Sequence, residues 1–533
     1  MPVCQPNFPP PKTQYLLGID LGTSGLRAVV VQRESTPCDL PVENKERILA
    51  QSQVALKATD QDPRAQWQSK LQSLLEALGT QVDLHQVDGL IADATSSSLW
   101  LSDLQGNPLT PVLMYHSQVA TQQAQAIAEF IVQWQKKQPQ PLSITTAALG
   151  VSSSLAKAWY LYQQLPAYSQ NQPLQLVHQI DWLNDQFVGF LGTGENMSDE
   201  NNLLKFGYDP ALGDYPPWLR AFLAQEMPFL QLPKVGRVGQ PFAQIAHQAA
   251  QRFGLKKTCQ VCYGTTDSLA AFFAAGASQL GDAVSSLGSS IAIKLLASRP
   301  VFAPEFGLYS HRIGAYWLVG GASNSGGQVL LKYYDIAQVE YLDTLSIELI
   351  NLNASLEQSL PQAAQAIRQS LQQLGDYYPL LSSGERFPFA DPNLAPRLAA
   401  VPDCPLPQCM TQPDALKSVN AIQQMDAEQL TAVAAHLLFY SSIVQGFVQV
   451  ELAAYQRLTE LGCRRSQLFA VGGGTRNRYW QRLRQNYLHR PENPLKSPFS
   501  SDAAFGVTRL ARLDSVLLSK PFKETSMKAP GTL

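Results

Sequence analysis

The sequence predicts an α/β protein of two domains that share one plan. A chain of 533 residues is too long for one hydrophobic core. Short apolar runs, typical of buried strands, alternate with segments of helical periodicity. A strand–turn–strand pattern also occurs twice, about half a chain apart. We therefore expect one domain at 13–279, a second at 280–514, and a tail at 515–533.

The repeated pattern is a strand that ends in a glycine turn and returns as a second strand. In the first copy, Tyr15–Asp20 leads through Leu-Gly-Thr-Ser to Leu26–Gln32. In the second copy, Ala283–Ser286 leads through Leu-Gly-Ser-Ser to Ile291–Leu296. Both copies are typical of β-hairpins. One copy alone is a weak signal, but two copies indicate a duplicated architecture.

The remaining strands and helices are predicted from hydrophobic periodicity and from the residues that cap helix ends. We predict a buried strand at Val87–Ala92, a strand at Leu468–Val471, and helices at Thr121–Gln135, Ser154–Leu165, Ser268–Ala277 and Ala427–Leu461. The last helix has a capping box, Asp426 with Gln429, and a glycine stop at Gly462. Met1–Gln14 and Ser515–Leu533 are predicted to be tails, and Phe387–Pro413 an irregular proline-rich excursion.

Composition limits the class of partner. Forty basic and 42 acidic residues leave a formal charge of −2, so there is no overall field to attract nucleic acid or an anionic membrane. We expect a small-molecule substrate, a monomer or homodimer, and a cytoplasmic location, since no signal peptide is recognised.

The seven cysteines of the chain are expected to be reduced thiols and not disulfides. A zinc site at Cys259 and Cys262 is the weaker alternative to buried thiols, because positions three apart on a strand face opposite sides.

The turn of the first hairpin carries groups that can hold a metal ion and phosphate. Gly22 and Gly25 allow backbone N–H groups to approach a phosphate, and the hydroxyls of Thr23 and Ser24 can donate to it. Asp20 stands at the end of the strand, where a carboxylate can orient Mg²⁺ through water. The alternative for this copy alone is a purely structural hairpin.

The second hairpin lacks the acid. Ser286 stands where the first copy has Asp20. This asymmetry suits a nucleotide held from two sides with the metal on one side. No GxxxxGK[ST] motif occurs in the sequence, which excludes a P-loop kinase as a simple interpretation.

A further carboxylate follows a Gly-Thr-Thr turn. Asp267 stands where a helix is predicted to begin, at the edge of an α/β sheet. Phosphoryl transfer to a hydroxyl needs a base to accept the proton, and Asp267 is the candidate. The alternative is that Asp267, or Thr266 before it, only caps the helix.

Two loops offer further binding groups. Ser96 and Ser97 follow a predicted strand in a hydroxyl-rich run, as expected for a polyol site, although serine-rich loops are often only turns. Gly473 belongs to a triple-glycine turn between a strand and a helix, which permits close contact with a flat ring or ribose, and Asn477 can hydrogen-bond the base. Each of these signals is weak by itself.

Taken together and in order, six motifs resemble the FGGY carbohydrate kinases of the actin/Hsp70-type ATPase superfamily. The likeness extends over Tyr15–Leu513 and rests on GIDLGTSGLRAVV, YGTTDSLAAFFAAGA, SSLGSSIAIKL, VGGASNSGGQVL, FAVGGGTRNRYW and SDAAFGVTRLA. The resemblance implies two ribonuclease-H-like domains with an interdomain cleft. It also implies phosphorylation of a carbohydrate, with ATP and Mg²⁺ as cofactors.

The resemblance implies a role for each candidate residue. Asp267 matches the general base, and Asp20 and Asp267 are the carboxylates near the metal. Asp20, Thr23 and Asp267 lie near the sugar, and Ser96 and Ser97 match sugar-selecting positions. The implied ATP-binding residues are Thr23, Ser24, Gly288, Ser289, Gly473 and Asn477.

Three runs look most like the D-ribulose kinases of cyanobacteria and plant plastids: SDENNLLKFGYDP, GTTDS and YPLLSSGERFPF. We therefore expect D-ribulose to be converted to D-ribulose 5-phosphate. The loop Tyr115–Val119 departs from the family's usual sugar-side pattern, which leaves D-xylulose or another polyol as an alternative substrate. A catalytically idle, ATP-binding sugar sensor is the alternative from another class. The retained Asp20, Thr23 and Asp267 count against it, because a sensor needs no general base.

Overall fold

The computed structural model describes residues 12–35, 46–57, 62–138, 146–407, 421–492 and 494–511. By their contacts, the residues form two units. The first takes the chain up to Ala270, the segment His311–Trp317 and the residues from Ala503, while the second takes Ala271–Ser310 and Leu318–Asp502. The contact division therefore places 503–511 with the first unit, whereas the predicted second domain runs to 514.

The first unit is built on strands and helices that alternate along the chain. Its strands are β1 (Lys12–Leu21), β2 (Gly25–Ser35), β3 (Glu46–Ala55), β4 (Gly89–Ala94), β5 (Leu99–Asp103), β6 (Leu174–His178), β7 (Met197–Asp199), β8 (Leu230–Gln231), β9 (Lys234–Gly236), β10 (Pro241–Gln244), β11 (Gln260–Cys262) and β12 (Thr265–Thr266). Its helices are α1 (Pro63–Gly79), α2 (Thr121–Lys136), α3 (Ser154–Gln164), α4 (Ala167–Gln170), α5 (Gln179–Val188), α6 (Pro217–Glu226), α7 (His247–Phe253) and α8 (Asp267–Ala274), the last of which leads into the second unit.

The main sheet of the first unit has the order β10-β11-β4-β1-β2-β3, with β12 also paired to β4. Strand β1 is antiparallel to β2 and parallel to β4. Every residue of β4 is buried, as expected for a central parallel strand covered on both faces. One hydrophobic core joins this sheet to α1 around Trp67 and Leu90. A second core lies against the small β5–β6–β8 sheet and includes Leu155 and Phe222.

Most of the remaining described strands and helices lie in the second unit, although the segment His311–Trp317 within them belongs to the first. The strands are β13 (Ala283–Leu287), β14 (Ile291–Ala297), β15 (Tyr309–Ile313), β16 (Tyr316–Ala322), β17 (Leu468–Val471) and β18 (Leu495–Lys496). The helices are α9 (Gly327–Tyr333), α10 (Ile336–Ile350), α11 (Ala354–Ser359), α12 (Pro361–Ser370), α13 (Ala427–Glu460) and α14 (Arg478–Tyr487). A final helix, α15 (Ala503–Thr508), belongs to the first unit.

Both predicted hairpins are confirmed. Strands β1 and β2 pair up to Leu21 opposite Leu26, and β13 and β14 pair up to Leu287 opposite Ile291. The second sheet has the order β15-β16-β14-β13-β17-β18. In it, β13 is antiparallel to β14 and parallel to β17, just as β1 is antiparallel to β2 and parallel to β4. The two sheets therefore share the local plan that the repeated pattern predicts.

The long helix is also confirmed. Asp426 and Gln429 form the predicted capping box at the start of α13, and Gly462 beyond its end has a φ of +86°. Among the described residues, α13 is the helix long and apolar enough to span a membrane by length and composition. However, 78% of its apolar window is buried inside the protein, which is typical of a core helix.

The prediction of an N-terminal tail over Met1–Gln14 is wrong for its last three residues, because residues 12–14 begin β1 and pair with β2. The reason is that β2 continues to Ser35 and offers partners to the longer strand. The side chain of Gln14 is buried and accepts a hydrogen bond from Arg33. Residues 1–11 and the predicted tail 515–533 lie outside the described residues. The irregular excursion is confirmed over its described part, 387–407, which holds an isolated bridge at Arg397 but no helix or strand.

Candidate functional site

Three parallel strands of the first unit end side by side and bring polar residues together. Asp20 on β1 is in register with Asp93 on β4, and Asp93 is in register with Thr265 on β12. Side chains in register on neighbouring strands point to the same face of a sheet. Asp267 follows β12 directly as the first residue of α8. Asp20, Asp93 and Asp267 therefore stand at the same end of the sheet.

Asp20 is held in place by charge. Its side chain is buried, and its Oδ2 accepts a hydrogen bond from Nη1 of Arg27 at 3.0 Å. Arg27 stands opposite Asp20 across the hairpin. The turn between them is closed by a bond from the Gly22 N–H to the Gly25 carbonyl at 3.0 Å. Thr23 and Ser24 at the tip are exposed, so their hydroxyls are accessible to a ligand.

Asp267 lies at the start of α8 and is still accessible. Its Oδ1 accepts the backbone N–H of Ser268 at 2.6 Å, at the first turn of α8. The side chain is only half-buried. The carboxylate is thus oriented by the helix start and still accessible, so a structural contact at the helix start does not exclude a chemical role.

The two predicted sugar-side serines differ in exposure. Ser96 is half-buried, while Ser97 is fully buried and donates its hydroxyl to the Ser152 carbonyl at 2.7 Å. Next to them, the Thr95 hydroxyl lies 2.7 Å from that of Ser98. The turn is therefore a rigid hydrogen-bonded unit, with Ser96 as its more accessible hydroxyl.

Sequence reasoning missed several polar residues of this region. Asp93 is fully buried between β1 and β12; its position at the end of an apolar strand was the available signal. Burial raises the pKa of Asp199 to about 6 and that of Glu200 to about 7. Asn201 then donates to the Thr265 hydroxyl at 3.4 Å. Nothing in the sequence pattern indicates that this acidic run lies beside the Asp267 loop.

The turn of the second hairpin is held by backbone contacts. Its Ser286 is in register with Val471 of β17. The start of α9 lies against the turn, with the N–H of Gly327 donating to the Gly288 carbonyl at 2.9 Å. Gly326 has a φ of +155°, and a Cβ there would lie 2.5 Å from the Cα of Ser290. Ser289 at the tip is exposed.

The triple glycine contains two kinds of glycine. Gly472 has a φ of +93°, and a Cβ there would come within 2.8 Å of the Leu287 carbonyl oxygen. A Cβ on Gly473 would meet nothing within 4 Å. Asn477 caps α14, since its Oδ1 accepts the Trp480 N–H at 2.9 Å, and its Nδ2 donates to Tyr440 at 2.7 Å. The structure thus gives Asn477 a structural role that the sequence reasoning did not assign.

The donor set of the first unit suits Mg²⁺ better than a softer metal. Across the described part of the chain, no three or more His, Cys, Asp or Glu side chains form a metal-holding group. Mg²⁺ is usually bound by one or two carboxylates together with phosphate and water. Asp20 and Asp267 can supply these carboxylates.

The predicted alternative of a zinc site at Cys259 and Cys262 is disfavoured. Both thiols are buried, and burial raises the pKa of the Cys259 thiol to about 12, so the thiolate that zinc binds is unfavourable.

A comparison with protein families finds a model that matches about half of the chain. The model described as the FGGY family of carbohydrate kinases, N-terminal domain, matches residues 15–274. The L-xylulose/3-keto-L-gulonate kinase of Escherichia coli (strain K12) is 27% identical over 270 residues, which is 50% of each chain. The chain therefore spans about half the length of this curated relative in the alignment.

Solved structures resemble the chain over nearly its whole length. A xylulose kinase from Rhodospirillum rubrum has a TM-score of 0.65 at 19% identity and covers 93% of this chain and 89% of its own. A gluconate kinase from Lactobacillus acidophilus has a TM-score of 0.64 at 15% identity, with 95% and 91% covered. These likenesses show the fold, a mixed α/β architecture shared with the two kinase structures.

Proposed function

We propose that the chain is a kinase of the FGGY carbohydrate-kinase family, whose N-terminal-domain model matches residues 15–274, and that it transfers a phosphoryl group from ATP to a ketopentose. The observation that carries the proposal is the register of Asp20, Asp93 and Thr265 on adjacent parallel strands, with Asp267 directly after them. Phosphoryl transfer to a sugar needs a proton acceptor and a carboxylate near the metal. The first unit holds both at one sheet edge.

Asp267 is the proposed general base. Its carboxylate accepts the proton of the attacking sugar hydroxyl, for which the two oxygens must approach to about 2.6–3.2 Å in the substrate complex. The Ser268 N–H, which donates to Oδ1, keeps the carboxylate oriented while the proton moves. Since the side chain is half-buried, a hydroxyl can approach it from solvent.

Asp20, Thr23 and Ser24 are the proposed phosphate and metal side of the first unit. Arg27 fixes the Asp20 carboxylate by its bond to Oδ2, so the acid needs little reorganisation when a cation arrives. The exposed hydroxyls of Thr23 and Ser24 donate to phosphate oxygens. Mg²⁺, when bound with ATP, neutralises charge on the phosphates during transfer.

The second unit supplies the proposed nucleotide loops. Gly288 and Ser289 form a turn that the start of α9 holds by backbone bonds, which suits a phosphate loop. Gly473 leaves open space where a side chain would stand, which suits the close approach of adenine or ribose. Asn477 keeps this loop in shape by capping α14.

D-Ribulose is the proposed sugar, supported by the resemblance of the runs at 198–210, 264–268 and 378–389 to D-ribulose kinases. D-Xylulose is the second candidate, because the similar structure from Rhodospirillum rubrum is named a xylulose kinase. The two sugars differ at one carbon, and pocket side chains decide between them. An idle sugar sensor is disfavoured, since a sensor has no use for an accessible Asp267.

A panel of pentuloses and polyols tests the proposal. Each sugar is incubated with the protein, ATP and Mg²⁺, and both ADP release and sugar phosphate are measured. We expect the highest kcat/KM with D-ribulose and a lower one with D-xylulose. Faster turnover of D-xylulose would replace the first candidate with the second. Sugar binding without any ADP release from the whole panel would favour the sensor.

A further inference from the structure

Lys157 of α3 is a lysine without exposed surface whose ammonium group is held by backbone oxygens. Its side chain is 0% exposed, although lysine is almost never fully buried unless it is paired. The Nζ donates to the carbonyls of Ser97 at 3.0 Å, Met114 at 2.8 Å and Tyr115 at 2.9 Å. An ammonium group has three protons, so each proton has one of these oxygens as its partner.

The three oxygens belong to two separate segments of the chain. The Ser97 carbonyl lies in the turn between β4 and β5, and the other two lie at the start of the loop Tyr115–Val119. A further hydrogen bond joins the same two segments, since the Tyr115 N–H donates to the Ser98 hydroxyl at 3.0 Å. The ammonium of Lys157 therefore fixes the distance between the serine turn and the loop.

Ser97 needs such support because its backbone is in the left-handed region. Its φ of +72° is rarely adopted by residues other than glycine. Its hydroxyl is bonded to the Ser152 carbonyl at 2.7 Å and accepts from Ser154 at 3.1 Å. Together with the bond from Lys157, these contacts hold the turn in a conformation that it would not keep unaided.

A role in stability alone does not account for Lys157. Burial, with the charge of Lys205 as the second cause, lowers its pKa to about 7, so keeping the charged form inside the protein is costly. An apolar side chain of similar size avoids that cost, and such replacements of buried charges are often neutral or stabilising. What the apolar side chain cannot do is bind three carbonyls from two loops.

We propose that Lys157 is a positioning residue of the sugar site, whose three carbonyl contacts set the spacing between the Ser96–Ser98 turn and the Tyr115–Val119 loop and thereby the choice of sugar. This inference rests on the proposed function and on the family resemblance, in which Ser96, Ser97 and the loop Tyr115–Val119 match sugar-side positions. Lys157 acts through the backbone of those segments and does not itself touch the substrate.

The test compares Lys157→Met with Tyr162→Phe, a control on the same helix that removes the bond from the Tyr162 hydroxyl to the Gln170 carbonyl. The readouts are kcat and KM for D-ribulose and D-xylulose, KM for ATP, and Tm. We expect Lys157→Met to raise the sugar KM about tenfold or more and to reduce the preference between the two pentuloses, with the KM for ATP within about twofold. Tyr162→Phe lowers Tm only.

A folded Lys157→Met with wild-type sugar KM and preference would overturn the inference, as would an equal rise in the KM for ATP. If Lys157→Met does not fold, Ser98→Ala is tested in its place, because it removes the hydrogen bond from the Tyr115 N–H to the Ser98 hydroxyl. It is expected to shift the pentulose preference in the same direction, and an unchanged preference would contradict the inference. A wild type inactive on the whole panel would overturn the proposed function and this inference with it. An active wild type with unaltered variants would overturn this inference alone.

Discussion

The two hairpin turns have the same strand plan but are held by different forces. In the first, four residues separate Leu21 from Leu26, and the Asp20–Arg27 ion pair lies at its base. In the second, three residues separate Leu287 from Ile291, and backbone N–H groups of α9 hold the turn. The turn of the first unit therefore has an ion pair in addition to its backbone bonds, whereas the turn of the second is held by backbone contacts.

The two turns also differ in the groups that they present. A turn held by the close approach of Gly326 and Gly472 has its backbone available for a phosphate or a ring but offers no carboxylate. The turn at Asp20 also contacts neighbouring backbone, since the Leu56 N–H donates to the Ser24 carbonyl at 2.9 Å, but it places an anion at the strand end. Removal of the Asp20 charge should therefore harm the first turn, and added volume at Gly326 or Gly472 should harm the second.

The largest contrast is expected between Asp20→Ala and Ser286→Ala, which alter equivalent positions in the two hairpins. Loss of the Asp20 carboxylate should lower kcat by about a hundredfold or more and raise the Mg²⁺ concentration needed for half-maximal rate. The Ser286 change should alter kcat by less than about threefold. Titration of Mg²⁺ in steady-state assays measures both. Similar losses in the two variants would show that the hairpins are not specialised.

A smaller effect is expected from glycine substitutions in the second unit. Gly472→Ala places a Cβ 2.8 Å from the Leu287 carbonyl at a φ of +93°, which should cost roughly 1–3 kcal/mol of stability. Gly473→Ala meets nothing within 4 Å, so its Tm should equal that of the wild type. If Gly473 adjoins the nucleotide as proposed, only its KM for ATP should rise. Calorimetry measures the stability of the two variants, and steady-state kinetics measure their KM for ATP. A Gly473→Ala variant less stable than Gly472→Ala would contradict the prediction.

The buried acids of the first unit predict a dependence of stability on pH. Glu200 has a folded-state pKa raised from 4.5 to about 7, first by burial and also by Asp199, against the lowering effect of Arg312. A carboxyl group with a raised pKa holds its proton more tightly when folded. Its contribution therefore favours the folded state below about pH 4.5, declines as the pH rises to about 7, and is constant above that.

Glu200→Gln isolates this contribution. Relative to the variant, the wild type should lose roughly 2–3 kcal/mol of unfolding free energy between pH 5 and pH 8. Urea unfolding at several pH values measures the difference, with the exposed Glu129→Gln as control. A difference between wild type and Glu200→Gln that stays constant over this range would show that Glu200 is not the titrating group.

Much of the fold could be predicted from local pattern. The hairpins at 15–32 and 283–296 and the capped helix α13 have signals in neighbouring residues, namely alternation, a glycine turn and a capping box. The extension of β1 to Lys12 was missed because strand pairing, not local hydrophobicity, fixes it. The place of α15 beside β1 depends on packing between distant segments, which no local pattern encodes.

The candidate site was predictable only where its residues have signals in neighbouring residues of the sequence. Asp20 directly precedes a recognisable glycine turn and Asp267 follows one, so each could be singled out from the sequence. The carbonyl contacts of Lys157 and the approach of Asn201 to Thr265 connect segments far apart in the chain. Asn477 was assigned to the nucleotide, while its cap of α14 depends on where that helix begins.

The most direct test of the kinase proposal is sugar-phosphate formation by Asp267→Asn, with ATP affinity measured on the same preparation and the exposed Asp214→Asn as control. A general base contributes about a hundred- to ten-thousandfold to the rate. We predict a loss of that size in turnover, with ATP affinity within about threefold of the wild type and normal turnover in Asp214→Asn. Near-normal phosphorylation by Asp267→Asn would contradict the account.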